Sequence, residues 1–220
     1  MSALTFRERP AATEPDGLLV LHHGRGADEL DLHGLAAVLD PEGRLHVVTP
    51  RAPLQIPGWP GYHWYEVLRP GFPAPASFAA GSEKLAAFHD ELWQTTGIEP
   101  ARTVLGGFSM GAVMSYALGL RAGRPVPAGI LALSGAVPNV EGWAPDLAGR
   151  RGLPVLIAHG RSDSVIEVGF GRRASELLAA GGLDVHYLES DLGHQIDPAQ
   201  VPAVRAWLAE VLPPASAVAG

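Results

Sequence analysis

The 220-residue chain contains no cysteine, which excludes disulfides, thiol nucleophiles, cysteine-rich zinc sites and iron–sulfur clusters. Compartment does not follow from that absence, because secreted proteins also lack cysteine. Long apolar runs are missing too. Residues 1–10 carry no basic stretch followed by an apolar one, and the longest early apolar segment, 18–21, is far too short for a signal sequence or a membrane span. A cytoplasmic protein without stable membrane insertion is therefore expected. Positive charge is scarce: sixteen Lys plus Arg against 23 Asp plus Glu leave a net charge of −7. That balance repels phosphate backbones and anionic lipid surfaces at long range, so nucleic acid is not an expected partner. There is no run of like charges, no low-complexity tract and no internal repeat. Only residues 213–220 read as a frayed end.

What the chain has in quantity is glycine, 27 residues, and proline, 20, punctuating short apolar runs and longer amphipathic ones. Alternation of that kind marks strands and crossover helices of a mostly parallel sheet, an α/β class. Strands are predicted at 17–22, 45–49, 103–106, 129–133, 154–158 and 183–188, evenly apolar as strands buried on both faces must be. The clearest helix is predicted over 77–96, with Leu85, Phe88 and Leu92 on one side and Glu83, Lys84, Asp90 and Glu91 on the other. Ser77 is its expected N-cap and Gly97 its stop. A second helix is predicted over 168–180, and a third ends near residue 212. The third starts either from the Asp197-Pro198 cap or at Pro202. At this length folding hides roughly 70% of the extended chain's surface, enough for one core, and residues 1–220 read as a single domain. Residues 50–75 form one long irregular stretch rich in Pro and Gly that also carries Trp59, Tyr62, Trp64, Tyr65 and Phe72. A loop of that length in a compact domain is usually functional.

The sequence Gly107-Phe108-Ser109-Met110-Gly111 lies between the strand ending near 106 and an apolar helical run from Ala112. This places Ser109 on a tight strand-to-helix turn, where flanking glycines leave room for a hydroxyl thrust outward. A serine hydroxyl is a weak nucleophile and needs a histidine base, which in turn needs a buried acceptor to fix its tautomer. Asp163 and His194 lie in loops after the fifth and sixth strands, in the order and at the sheet edge that a Ser–acid–His arrangement requires. Asp191 is a rival acid, but it would have to fold back on its own loop to reach His194. The loop after the first predicted strand, His23-Gly24-Arg25-Gly26-Ala27-Asp28, suits an oxyanion hole made by the backbone amides of Arg25 and Met110. His22 and His23 are not expected to bind metal, since neighbouring strand residues face opposite ways. His46, His89 and His186 are expected in structural roles inside strands or helices, and His33 reads as a helix residue. No metal or cofactor is expected.

With these segments the chain resembles the phospholipase/carboxylesterase family, which includes acyl-protein thioesterases and small bacterial carboxylesterases. The resemblance rests on residues 21–28, 107–111, 158–166 and 193–196, and on the aromatic stretch 61–65. It implies an α/β-hydrolase fold with a minimal cap formed by the long aromatic loop. It also implies Ser109 as nucleophile, Asp163 as acid, His194 as base, and Arg25 with Met110 as oxyanion amides. Met110 and Ala112 stand where many thioesterase members carry glutamine and glycine, and Glu167 replaces a frequent proline. Trp59, Tyr62 and Trp64 are expected to wall an acyl pocket. The expected activity is hydrolysis of short- to medium-chain acyl esters, a small-molecule substrate, through an acyl-enzyme. A thioesterase or lysophospholipase would share every catalytic residue. A catalytically silent binding module is the alternative outside enzymes. A homodimer is left open.

Overall fold

The chain's apolar runs become the strands of a seven-stranded sheet in the computed structural model, which describes residues 4–69 and 72–214. In chain order the elements begin with β1 (Phe6–Arg9), β2 (Gly17–His22), α1 (Leu35–Leu39) and β3 (Leu45–Pro50). Two small hairpins follow, β4 (Leu54–Gln55) with β5 (Tyr62–His63) and β6 (Val67–Arg69) with β7 (Phe72–Pro73). The remainder is α2 (Pro75–Thr96), β8 (Thr103–Phe108), α3 (Met110–Gly119), β9 (Gly129–Leu133), β10 (Pro154–Gly160), α4 (Val168–Ala180), β11 (Asp184–Ser190) and α5 (Val201–Val211). The sheet runs β1-β3-β2-β8-β9-β10-β11, with β1 antiparallel to β3 and every other pairing parallel.

All six predicted strands are present. Their period-two geometry sends alternate side chains to opposite faces. Leu18, Val20 and Leu105 join a core beneath α2 and α3, while Leu19, Leu21 and Val104 join a second core beneath α1 and α5. This is why β2 and β9 are buried at every position and read as unbroken apolar runs. β1 was not anticipated: its sequence, Phe-Arg-Glu-Arg, is polar and largely exposed, so it carries no apolar signal and holds its place through pairing with β3.

Other boundaries differ from expectation for local reasons. α2 begins at Pro75 rather than Ser77, because proline's fixed φ suits the first helical position, and Ala74 stands at the N-cap without a side-chain bond. Ser77 Oγ instead donates to the Ala74 carbonyl and accepts the Glu66 N–H at 3.0 Å, tying the helix to the long loop. Gly97 ends α2 in the left-handed conformation, as expected. At the far end both expected signals operate in turn: Asp197 caps a short 3-10 turn over Pro198–Gln200, and α5 then starts at Val201 with Pro202 in its first turn. His33 lies in the turn before α1, not in the helix. The end expected to fray from 213 falls, beyond Pro214, outside the described residues.

β2 is followed in the chain by β3 on one side, while its other neighbour is β8. The loops leaving the carboxyl ends of β2 and β8 therefore diverge and open a crevice, the place where ligands sit on open α/β sheets.

Candidate active site

Ser109 occupies the turn between β8 and α3 with φ 56° and ψ −119°. For a residue with a Cβ this is strained by about 1–3 kcal/mol, and such strain persists only where the surroundings enforce it. Here the Ser109 N–H donates to the Leu133 carbonyl at 2.8 Å, continuing the ladder to β9. On the other side α3 is pressed against the end of β2: a Cβ at residue 111 would lie 1.9 Å from the His22 carbonyl oxygen. Only glycine fits there, so the motif's last glycine is explained by backbone approach.

The structure brings three distant side chains into one hydrogen-bonded line. Ser109 Oγ lies 2.8 Å from His194 Nε2, and His194 Nδ1 lies 2.7 Å from Asp163 Oδ2. A carboxylate can only accept, so Nδ1 carries the proton and Nε2 presents its lone pair to the serine hydroxyl. Asp163 is fully buried, and its Oδ1 accepts the N–H groups of Val165 and Ile166 at 2.9 and 2.8 Å. The rival acid Asp191 points to solvent at 89% side-chain exposure and pairs with Arg161. Phe108 packs on the imidazole of His194 with ring centroids 4.8 Å apart. An imidazole so placed can take a proton from the hydroxyl and keep its orientation while charged.

The loop at His23–Asp28 is held by the long aromatic stretch. Gly26 N–H donates to the Tyr62 carbonyl at 2.8 Å, Tyr62 N–H to the Ala27 carbonyl at 2.9 Å, and Trp59 Nε1–H to the Gly26 carbonyl at 3.1 Å. Trp64 Nε1–H donates to the His23 carbonyl at 2.9 Å, and its backbone N–H meets Met110 Sδ at 3.3 Å. The thioether of Met110 thus links the helix start to this loop. The His23 ring, whose Nδ1 bonds the Gly24 carbonyl and whose Nε2 accepts the Ala52 N–H, is neutral, and burial lowers its pKa. Among the described residues the Arg25 N–H takes no backbone partner, and the Met110 N–H is one of the amides that every helix start leaves unpaired. Both residues line the cleft that holds Ser109.

That cleft has a volume of about 410 Å³ and an apolar wall. Tyr65, Val67 and Phe72 come from the long loop, Val113 from α3, and Val165 with Ile166 from the segment after β10. None of the three aromatics expected to wall it does so. Trp64 is fully buried beneath the loop, Tyr62 stacks under the Arg51 guanidinium, and Trp59 is 58% exposed over Gly26. The cleft wall is drawn from other residues of the same loop, because an aromatic that buttresses backbone and one that lines a pocket have the same composition signal. Arg25 and Arg69 are the cleft's charged side chains, and neither forms an ion pair among the described residues.

Behind the site, His22 and His89 form a buried pair that sequence inspection missed. His22 Nε2 lies 3.1 Å from His89 Nε2, and His22 Nδ1 lies 2.9 Å from Ser115 Oγ. The serine hydroxyl donates to the Gly111 carbonyl, so His22 Nδ1 carries a proton and His22 Nε2 accepts from His89. Burial, with His89 and His23 adding to it, holds His22 well below the usual imidazole range. Burial, with Arg124 nearby, pushes His89 down to about 3. Both rings are neutral structural groups at ordinary pH. Among the described residues no three His, Asp or Glu side chains converge as a metal would require.

The sequence profile of the phospholipase/carboxylesterase family matches residues 9–212. The chain belongs to that family. Acyl-protein thioesterase 1 of Gibberella zeae is 30% identical, with 93% of this chain and 94% of the relative covered. Among solved structures, esterase PE8 superposes with a TM-score of 0.83 at 31% identity over 94% of this chain and 99% of the other. A carboxylesterase from Mesorhizobium loti gives 0.81 at 26% identity over 93% of each chain. This phospholipase/carboxylesterase family member is an α/β-hydrolase of esterase or thioesterase type, acting on small-molecule ester or thioester substrates. Among its described residues no helix is long and apolar enough to cross a membrane.

Proposed function

We propose that the protein is a single-domain serine carboxylesterase that hydrolyses short- to medium-chain acyl esters through an acyl-enzyme. The observation that carries the reading is the unbroken line of bonds from Ser109 Oγ through His194 to the buried Asp163. Ser109 Oγ attacks the ester carbonyl carbon while His194 Nε2 takes its proton. The amides of Arg25 and Met110 receive the charge that builds on the carbonyl oxygen. The intermediate collapses, the alcohol leaves with the proton from His194, and an acyl-serine remains. Water then attacks the acyl carbon with His194 again as base, releasing the acid and restoring the hydroxyl. Asp163 holds the imidazole in its productive tautomer and faces its positive charge. A cleft of this volume with an apolar wall accommodates short and medium acyl chains. The curated relatives named acyl-protein thioesterases favour, as a second reading, a thioester substrate in the same site.

A fluorophosphonate probe is expected to label one residue, Ser109, and peptide mapping of the adduct checks it. A chain that stays unlabelled is a silent module. A panel of p-nitrophenyl esters from acetate to palmitate, with the matching acyl thioesters, then separates the two readings. Preference for butyrate to octanoate esters is expected, and a thioester preference at every chain length overturns the esterase choice. The two guanidinium groups of the cleft offset the overall charge of −7 at the point of binding. Arg69 Cζ sits over the Phe72 ring, 3.8 Å from its centroid, which holds the guanidinium at the cleft, where its N–H donors can meet a carboxylate. Arg69→Met is therefore expected to lower kcat/KM for the p-nitrophenyl monoester of glutaric acid about tenfold relative to the butyrate ester, the effect of one charge-assisted contact worth ~1.4 kcal/mol. An unchanged ratio removes Arg69 from recognition.

A further inference from the structure

The esterase reading gives no role to His159, a fully buried histidine at the end of β10. We propose that His159 is a positioning residue for the acid Asp163, an inference that rests on the esterase reading of the site.

Its Nε2 lies 2.7 Å from the Ile166 carbonyl oxygen and 3.5 Å from Asp163 Oδ2, the oxygen that also accepts from His194. A carbonyl oxygen can only accept, so Nε2 carries the ring proton and Nδ1 keeps a bare lone pair. That Nδ1 is buried without a partner. An orphaned nitrogen makes histidine a poorer filler of this space than leucine or phenylalanine, so packing alone does not account for the ring. What the ring adds is one N–H aimed at the acid loop.

That N–H closes a small circuit. Asp163 Oδ1 gathers the N–H groups of Val165 and Ile166, and the carbonyl of Ile166 is drawn back to the strand by His159. The loop can swing its carboxylate away from His194 only by breaking this bond as well. α4 packs closely against the ring: a Cβ at Gly171 would stand 2.7 Å from His159 Nδ1. Ile166 also lines the cleft, so the same bond fixes part of the substrate wall. His159 touches neither substrate nor reacting atoms; it acts through Asp163 and Ile166.

The test compares wild type with His159→Leu, His159→Gln and His159→Asn on p-nitrophenyl butyrate, with melting temperature and fluorophosphonate labelling rate measured alongside. Leucine keeps the bulk and removes the N–H; kcat and the labelling rate are expected to fall about tenfold or more together, with KM within twofold of wild type. Glutamine places an amide N–H at the depth of Nε2 and is expected to restore at least half of kcat. Asparagine places its amide at the depth of Nδ1 and is expected to restore little. A leucine variant with wild-type kcat overturns the inference, and so does glutamine no better than asparagine. If the leucine variant does not fold, the glutamine–asparagine comparison still decides. A wild-type chain that neither turns over ester nor labels at Ser109 overturns the esterase reading, and this inference with it.

Discussion

Ser109→Ala is expected to abolish turnover of p-nitrophenyl butyrate, by roughly 10⁴-fold or more, while leaving the fold intact. The magnitude follows from the geometry. In the proposed mechanism the hydroxyl is the one atom of the line that bonds covalently to substrate, and His194 Nε2, 2.8 Å away, has no other proton to take. The amides of Arg25 and Met110 remain, so a small residual rate above water is expected from charge stabilisation alone. Alanine removes little packing at this turn, where the side chain faces the cleft, and it adopts φ 56° with strain like that of serine. The melting temperature should therefore move by only a few degrees. Kinetics and thermal unfolding of the same preparation check both halves. A variant that retains more than about a hundredth of the wild-type rate removes Ser109 from the role of nucleophile.

The second large effect is loss of stability in mild acid, and it comes from a part of the molecule that does no chemistry. His22 and His89 are buried, neutral, and held below the ordinary imidazole value of 6.5, His89 at about 3. In the unfolded chain both titrate near 6.5, so below that pH the unfolded state binds more protons than the folded one and stability falls as pH falls. His89 contributes about 1.4 kcal/mol per pH unit below 6.5, so it alone withdraws roughly 2–3 kcal/mol between pH 6.5 and 4.5, and His22 adds to the loss in the same direction. Above pH 6.5 they contribute no pH dependence. Glu189, held at about 2 chiefly by Arg172, acts in a separate window, favouring the fold above its ordinary 4.5 and losing that contribution as pH drops towards 2. Urea midpoints measured from pH 7.5 to 4.5 are expected to fall steeply below 6.5. His89→Gln keeps an N–H donor for His22 and should make the slope clearly shallower. Identical slopes for variant and wild type would place the acid sensitivity elsewhere.

How much of this was legible without coordinates depends on how far apart the cooperating residues lie. The Ser109–His194–Asp163 arrangement was legible because each of its parts carries a local signature: the glycines around Ser109 report a turn that leaves no room for Cβ atoms, and Asp163 and His194 sit directly after apolar strands whose order fixes the edge on which they emerge. The buried strands were legible for the same reason, being apolar on both faces. β1 was not, since a polar edge strand is defined by its partner β3 and not by its own residues. Nor was the His22–His89 pair, whose members are 67 positions apart on a strand and a helix that meet only after folding. The cleft wall failed for a third reason. Composition marks residues 50–75 as aromatic, but whether a ring faces backbone or void is decided by hairpin strands of two or three residues, too short to leave a periodicity.

Trp64 divides that long loop into halves with different freedom to vary. Before it, Trp59 and Tyr62 hydrogen-bond the Gly26–Ala27 backbone next to the proposed Arg25 amide donor, so a replacement there is expected to disturb the proposed oxyanion hole. Beyond it, Tyr65, Val67, Arg69 and Phe72 contribute side chains to the cleft; Tyr65 is anchored in the core against Phe78, and Glu66 is tied to Ser77 and Ala74. On the proposed reading, substrate range can drift through Val67, Arg69 and Phe72 while the amide donors stay fixed, and chimeras exchanging 66–73 between relatives are the natural way to transplant acyl preference.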